Sequence, residues 1–278
     1  MLGILGDRPL GAKDADAVSQ ALDLDPVASC MVAARVEAYG LSPRFLGGEL
    51  WTASQPSSSL AFSGANLMPL IGGATDLEVF AERALSMPRI CSSVVGAADL
   101  VLPLWERLGT SWGTAREVRD DQPLLSLTGY PEIAPDPKVG LVTMSDLDAY
   151  FPAAVEMFIG EVGVDPCVGD EGRSYRRRLA ALISARRVFA RFEDGRVVFK
   201  AEIGSMSRKV GQIQGVWVDP EWRGRGLGAT GTAAVAAAIA RQGRIATLYV
   251  NAFNGPARET YRRVGFGQVG TFATVLVD

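Results

Sequence analysis

A strand that runs into a glycine-rich turn and then into an alanine-rich helix constrains this chain more than any other stretch of its 278 residues. The turn lies within Val216-Trp217-Val218-Asp219-Pro220-Glu221-Trp222-Arg223-Gly224-Arg225-Gly226-Leu227-Gly228. Val210 to Val218 reads as the strand, and Ala229 to Ala240 as the helix. Three glycines let backbone N–H groups converge on an anion without side-chain obstruction. The positive end of the helix dipole favours each negative charge there by about 0.3 to 2 kcal/mol, and Arg223 and Arg225 add ionic contacts. A pyrophosphate suits such a turn. It is not a nucleoside-triphosphate loop, because no Gly-Lys-Ser/Thr ends it, and it comes too late in the chain for an N-terminal dinucleotide fold.

The elements around the turn give a mixed α/β order. Val139 to Thr143 reads as a short strand, and Ser145 as the cap of a helix from Asp146 to about Val162, with Leu147, Tyr150, Phe151, Ala154, Val155 and Phe158 on one face. A very basic helix follows from Arg173 to Ala185. Strands are expected at Val188 to Phe192 and, after an Asp194-Gly195 hairpin turn, at Val197 to Met206. Beyond the alanine-rich helix come a strand at Ala246 to Val250, a helix at Ala257 to Val264 and one or two closing strands within Phe266 to Val277. Three prolines between Thr128 and Pro137 place a domain boundary there, giving a first domain over residues 1–129 and a second over 130–278.

Composition narrows the chemistry. The chain has no histidine, which removes Ser-His-Asp and Cys-His triads, histidine-bearing metal sites and an imidazole base together. Its three cysteines, Cys30, Cys91 and Cys167, are far apart, against a zinc cage or a disulfide framework. A net charge of −3 gives no basic field for nucleic acid. With 48% apolar and 21% charged residues the chain is expected to be soluble and globular. The first residues, Met1 to Asp7, lack a basic start, and no apolar run reaches the length of a membrane span, so a cytoplasmic location without membrane association is expected.

A second motif lies downstream of the glycine turn: Asn254-Gly255-Pro256-Ala257-Arg258-Glu259-Thr260-Tyr261-Arg262-Arg263-Val264-Gly265-Phe266. The first stretch resembles the Arg/Gln-x-x-Gly-x-Gly/Ala motif of the GNAT superfamily of acyl-CoA N-acyltransferases, with Arg223, Gly226 and Gly228 at its defined positions. The second resembles that superfamily's Asn-x-x-Ala-x-x-x-Tyr-x-x-x-Gly-Phe signature. The resemblance covers about half of the chain, from Gly140 onward. It implies a GNAT-like fold, a splayed mixed sheet flanked by helices, and transfer of an acetyl or other acyl group from acetyl-CoA to a primary amine in a ternary complex. The acceptor would be a small amine or a protein lysine or N-terminus. A non-catalytic acyl-CoA sensor would use the same features. No metal is implied.

The resemblance also assigns roles. Gly224 to Gly228 with Arg223 and Arg225 would hold the CoA phosphates, and the backbone near Val216, Trp217 and Val218 the pantetheine and acyl portion. Asn254 would bond the pantetheine arm or hold its own loop. Tyr261, a phenol with an ordinary pKa of about 10, would protonate the departing thiolate. A lysine-like amine near pH 7.4 is about one part in a thousand neutral, a deficit of roughly 4 kcal/mol that a base or a desolvating site must offset. Without histidine the candidates are Glu202, Glu161, Asp165 or a water relay. Alternation puts Lys200 on the same face as Glu202, so that carboxylate has an ion-pair partner to hand. Arg173, Arg176, Arg177, Arg178, Arg186 and Arg187 suit an acidic acceptor, the 3′-phosphate of CoA or a plain solvated face. Trp217 and Trp222 read as packing residues.

The first half carries no comparable motif. Ile71-Gly72-Gly73-Ala74 is a glycine pair between strand and helix without the arginine or third glycine, poorly suited to pyrophosphate. Extended segments are expected at Leu60 to Phe62 and Leu67 to Ile71, a strand at Ile90 to Val95, and helices at Val27 to Tyr39, at Asp76 to Ser86 after an Asp cap, and at Ala98 to Leu108. Val101-x-x-x-Trp105-x-x-x-Gly109 echoes Ala257-x-x-x-Tyr261-x-x-x-Gly265, which reads either as a degenerate, non-catalytic GNAT-like repeat or as any amphipathic helix that ends at a glycine. With Gly47-Gly48-Glu49-Leu50-Trp51 and Cys91-Ser92-Ser93-Val94-Val95-Gly96, the whole looks like actinobacterial two-domain GNAT proteins whose first domain has no assigned function. Such a domain would wall the acceptor cleft or bind a regulator.

Overall fold

A computed structural model describes residues 9–278. The reading of Met1 to Asp7 as no secretory leader lies outside the described residues. In chain order the elements are α1 (Ala15–Leu22), α2 (Cys30–Tyr39), α3 (Pro43–Leu46), β1 (Gly48–Trp51), β2 (Leu60–Gly64), β3 (Leu67–Ile71), α4 (Ala74–Leu85), β4 (Ser93–Ala97), α5 (Ala98–Trp112) and β5 (Glu117–Leu127). There follow β6 (Gly140–Leu141), α6 (Leu147–Val162), α7 (Arg173–Ser184), β7 (Val188–Glu193), β8 (Arg196–Met206), β9 (Val210–Val218), α8 (Leu227–Ala240), β10 (Ile245–Tyr249), α9 (Gly255–Val264) and β11 (Gly267–Leu276). Among the described residues no helix is long and apolar enough to cross a membrane.

The chain divides into two compact units. One holds the described residues up to Leu125 together with Tyr249–Phe253 and Gln268–Asp278; the other holds Ser126–Leu248 and Asn254–Gly267. The expected division at 129/130 therefore does not describe the packing of the last strand. β11 pairs antiparallel with β4 along Phe272 to Leu276, and its Phe272, Ala273 and Val275 are buried in the first unit's cores. A pairing across such a sequence separation leaves no local trace that periodicity could report.

In the first unit the strands run β1-β2-β3-β4-β11-β5. β1, β2 and β3 are antiparallel neighbours, and α4 crosses over to put β4 parallel to β3. In the second unit the order is β10-β9-β8-β7-β6, with β7, β8 and β9 antiparallel and α8 crossing over to a parallel β10. Each unit thus repeats one plan: an antiparallel three-strand meander, a turn, a helix and a parallel strand.

The repeat holds in topology but not in the residue correspondence expected for it. Gly109 lies inside α5, which continues to Trp112 and ends at Gly113 with φ +87°, whereas Gly265 itself ends α9 with φ +104°. The turns differ too. Before α4, the Asp76 carboxylate accepts the Gly73 N–H at 2.8 Å, so the helix start is capped by its own side chain. Asp76 is therefore the third helical residue of a capping box and not the cap itself.

Local chemistry accounts for the second unit's elements. Asp194 and Gly195, at φ +50° and +77°, make the tight turn between β7 and β8. Thr143 and Asp146 form the capping box that starts the turn into α6, displacing Ser145 from the expected capping role. Tyr150 and Ala154 of α6 and Leu179 and Ile183 of α7 pack with Val188 and Trp217 on one face of the sheet. α8 is apolar nearly all round and buried accordingly. Gly231 lets it approach β8, since a Cβ there would come within 2.5 Å of the Phe199 ring. α1, α3, β1 and β5 had no counterpart in the sequence reading; the first half of β5 is charged and exposed, and its buried residues begin at Gln122.

Candidate functional site

β9 is the strand that opens the site. It pairs with β10 only at Val210↔Ile245, Gly211↔Ala246 and Gln212↔Thr247, then continues to Val218 without that partner. Its pairing with β8 shifts by one residue between Lys200↔Trp217 and Glu202↔Gln214, and the extra residue falls where Gly215 adopts φ +57°. The splay leaves backbone groups from Ile213 onward on that edge of β9 for other partners. Val216, Trp217 and Val218 lie along it. The Trp217 indole is buried against Tyr150 and its neighbours, as expected of a packing residue.

Asp219 closes the strand: its buried carboxylate accepts the Glu221 N–H at 2.9 Å and faces Arg196 at 3.3 Å. Gly224 and Gly226 adopt φ +75° and +79°, with nothing within 4 Å of a Cβ at either, so backbone conformation alone requires glycine there. Gly228 differs, since a Cβ would make ordinary contacts of 3.6 Å with Thr260 and Val218. Hydrogen bonding in α8 starts with Ala229 and Thr230, both donating to the Gly226 carbonyl. The amides of Leu227 and Gly228 are the ones that helix geometry leaves without an intrahelical acceptor. Arg223 donates through Nε to the Val218 carbonyl at 3.1 Å, and Arg225 lies 5.0 Å over the Trp222 ring. Arg191 also lies over that ring, at 5.4 Å, so Trp222 serves as a platform between guanidiniums.

Tyr261, on α9, is 8% exposed and meets Phe266 edge-on at 6.2 Å. Burial pushes its phenol pKa up, and the Glu161 carboxylate adds to the rise. Glu161 itself is exposed near the C-terminal end of α6. Two residues 100 positions apart in sequence are thus brought within electrostatic reach. Asn254 caps α9, its side-chain oxygen accepting the Ala257 N–H at 3.2 Å, which is the loop-holding alternative.

Glu202 is fully buried and already served by donors. The Lys200 ammonium reaches Oε1 at 2.9 Å, the Tyr150 hydroxyl reaches Oε1 at 3.0 Å, and the Gln214 amide reaches Oε2 at 3.3 Å. Arg178 stands 3.6 Å from Oε2. Burial raises the Glu202 pKa, but the charges of Lys200 and Arg178 and the hydrogen bonds outweigh it and hold the carboxyl below its ordinary range. Such a carboxylate takes up a proton poorly. Glu202 is thus the buried partner of Lys200, on a face of the sheet covered by α6 and α7. Asp165 folds into its own turn, accepting the Cys167 N–H at 2.8 Å. Tyr150, Gln214 and Tyr175 were not foreseen here; the Lys200–Glu202 alternation was the one signal that this face holds charge.

The arginines of the basic helix separate by direction. Arg173 donates to the Asp170 carbonyl, Arg176 pairs with Asp148 and Arg177 donates to Ser174. These three border an open groove of about 670 Å³ with Leu147, Asp170 and Ala180, which includes none of the glycine turn, Tyr261 or Glu202. Arg178 faces the other way, toward Glu202.

Residues 199–275 match the family described as FR47-like protein, and residues 48–150 match a domain of unknown function, DUF4081. No curated protein sequence matches the chain. Among solved structures, a Drosophila protein is similar at a TM-score of 0.68 and 14% identity, over 99% of each chain. A GCN5-related N-acetyltransferase from Sphaerobacter thermophilus is similar at 0.59 and 18%, over 96% of this chain and 93% of its own. A tandem GNAT protein from the clavulanic acid biosynthesis pathway gives 0.52 and 13%, over 96% of both. At these identities the likeness establishes the fold, and it extends over both units.

Proposed function

The chain has the GNAT acetyltransferase fold with an FR47-like region over residues 199–275, and on that premise we propose that it moves an acetyl group from acetyl-CoA to a primary amine by direct attack in a ternary complex. The observation that carries this reading is the glycine turn: two left-handed glycines at the N-terminus of α8, directly after a strand that splays from its neighbour. The fit is physical. Anion-directed amides, an absence of side-chain bulk and two nearby guanidiniums suit a pyrophosphate, and the open edge of β9 suits an extended amide-bearing arm.

Acetyl-CoA supplies the activated thioester; the rest falls to this chain's side chains. Gly224 to Gly228, Arg223 and Arg225 hold the phosphates, and the backbone at Val216 to Val218 aligns the arm. Like an ordinary phenol, Tyr261 is protonated at neutral pH, and burial, which moves its pKa further up, leaves it a hydrogen-bond donor to the leaving sulfur and not a base. Removal of the amine proton falls to Glu161, exposed beside Tyr261, or to water that it orients. The first unit, with Asp76 occupying its corresponding helix start, is assigned no CoA site.

Calorimetric titration with acetyl-CoA, with NADH as control, tests the reading, followed by thiol release with an amine panel. Binding near one equivalent per chain with thiol release is the expected result. Binding without turnover on any amine would favour an acyl-CoA sensor, and no binding would overturn the assignment. Tyr261→Phe is expected to lower kcat by about a hundred-fold, the modest end for general acid catalysis because a thiolate leaves readily. Acetyl-CoA affinity should stay within about two-fold, and an unchanged kcat would remove Tyr261 from the mechanism.

A further inference from the structure

We infer that the acceptor amine also carries a carboxylate, and that Arg178 recognises it. This rests on the acyl-transfer reading and specifies the substrate class of that site. Arg178 extends from the flank of α7 that meets Glu202 of β8, while Arg173, Arg176 and Arg177 of the same helix border the separate groove with Leu147 and Ala180. Its side chain is 46% exposed, and its guanidinium lies 5.9 Å over the Tyr175 ring, which limits its orientations.

Charge bookkeeping then singles it out. Lys200 and Glu202 neutralise one another at 2.9 Å, and Tyr150 and Gln214 complete the carboxylate's hydrogen bonds. Arg178 stands beyond hydrogen-bond distance at 3.6 Å, so Glu202 steers it without occupying its donors. A guanidinium has five N–H groups in a planar fork that matches a carboxylate in two parallel bonds. Here that fork is anchored beside a buried neutral pair, with one edge open to solvent and low-dielectric protein behind it. Glu202, which Arg178 faces, pairs across the sheet with Gln214, directly before the Gly215 bulge that leads to Val216 on the open edge of β9, so the guanidinium and the strand segment assigned to the acyl arm share one locality. An acceptor with an amine at one end and a carboxylate at the other matches the two.

The test compares three acceptors of one skeleton with the full chain and saturating acetyl-CoA: an amino acid, its carboxamide and the amine without the carboxyl group. The expected result is a KM for the amino acid about ten- to a hundred-fold below those of the other two, the worth of a charge-assisted hydrogen-bonded pair. Arg178→Gln should bring the ratio of kcat/KM values, amino acid over amine, close to one. Arg178→Lys, which keeps the charge but loses the fork, should retain part of the preference. Arg177→Gln, at the separate groove, should leave the ratio as it is. Equal kcat/KM for all three acceptors, or a preference that survives Arg178→Gln, would overturn the inference while leaving acyl transfer intact. Transfer to none of a broader amine panel would instead count against the acyl-transfer reading.

Discussion

Lys200→Met is expected to destabilise the second unit by about 3 to 5 kcal/mol, because it leaves the Glu202 carboxylate buried without its closest cation. Glu202 is 0% exposed and Lys200 is 0% exposed, so neither charge can turn to water when the other is removed. Arg178 at 3.6 Å offers partial compensation and favours the lower end of that range. Removing both charges is a different experiment. Lys200→Met with Glu202→Leu replaces a costly buried pair by apolar groups of similar volume and should recover part of the loss, the remainder of about 1 to 3 kcal/mol reflecting the Tyr150 hydroxyl left without its acceptor. Urea denaturation of the single and double variants checks this. If the single variant loses under 1 kcal/mol, the pair is not the buried, coupled unit described here.

Gly226→Glu is expected to raise the dissociation constant for acetyl-CoA by more than about a thousand-fold, or roughly 4 kcal/mol. Two effects combine. A residue with a Cβ at φ +79° is strained by about 1 to 2 kcal/mol, and a carboxylate at the start of α8 takes the position that the phosphates need. Gly226→Ala separates them, since nothing lies within 4 Å of the added Cβ and its loss should be near ten-fold. Circular dichroism confirms folding, and calorimetry reads the affinities. Retained binding in Gly226→Glu would move the phosphate site elsewhere.

The second unit was the more legible from sequence because its signals are local. The alternation of β8 and β9, the alanine-rich α8, the Asp194-Gly195 turn and the glycines before α8 each impose their conformation within a few residues. What escaped depends on contacts distant in sequence. Glu202 was open as one of several candidate bases or as an ion-pair partner of Lys200, and its further donor Tyr150, 52 positions away, left no local sign. The basic helix read as one charged face, but packing of Tyr175, Leu179 and Ile183 against the sheet turns Arg178 away from its neighbours. β5 was missed because its first half is charged and exposed, while its burial comes from β11 and other parts of the first unit.

The return of β11 to the first unit has a consequence for how the chain is made. On the ribosome, the segment up to Leu125 emerges well before Phe272, Ala273 and Val275, which fill its cores. Until then β4 lacks its antiparallel neighbour and presents an open edge, the kind of surface that invites pairing with other nascent chains. The first unit therefore stays incomplete until the helices and strands of the second have been made, and loss of β11 strips a neighbour from a strand far earlier in the chain.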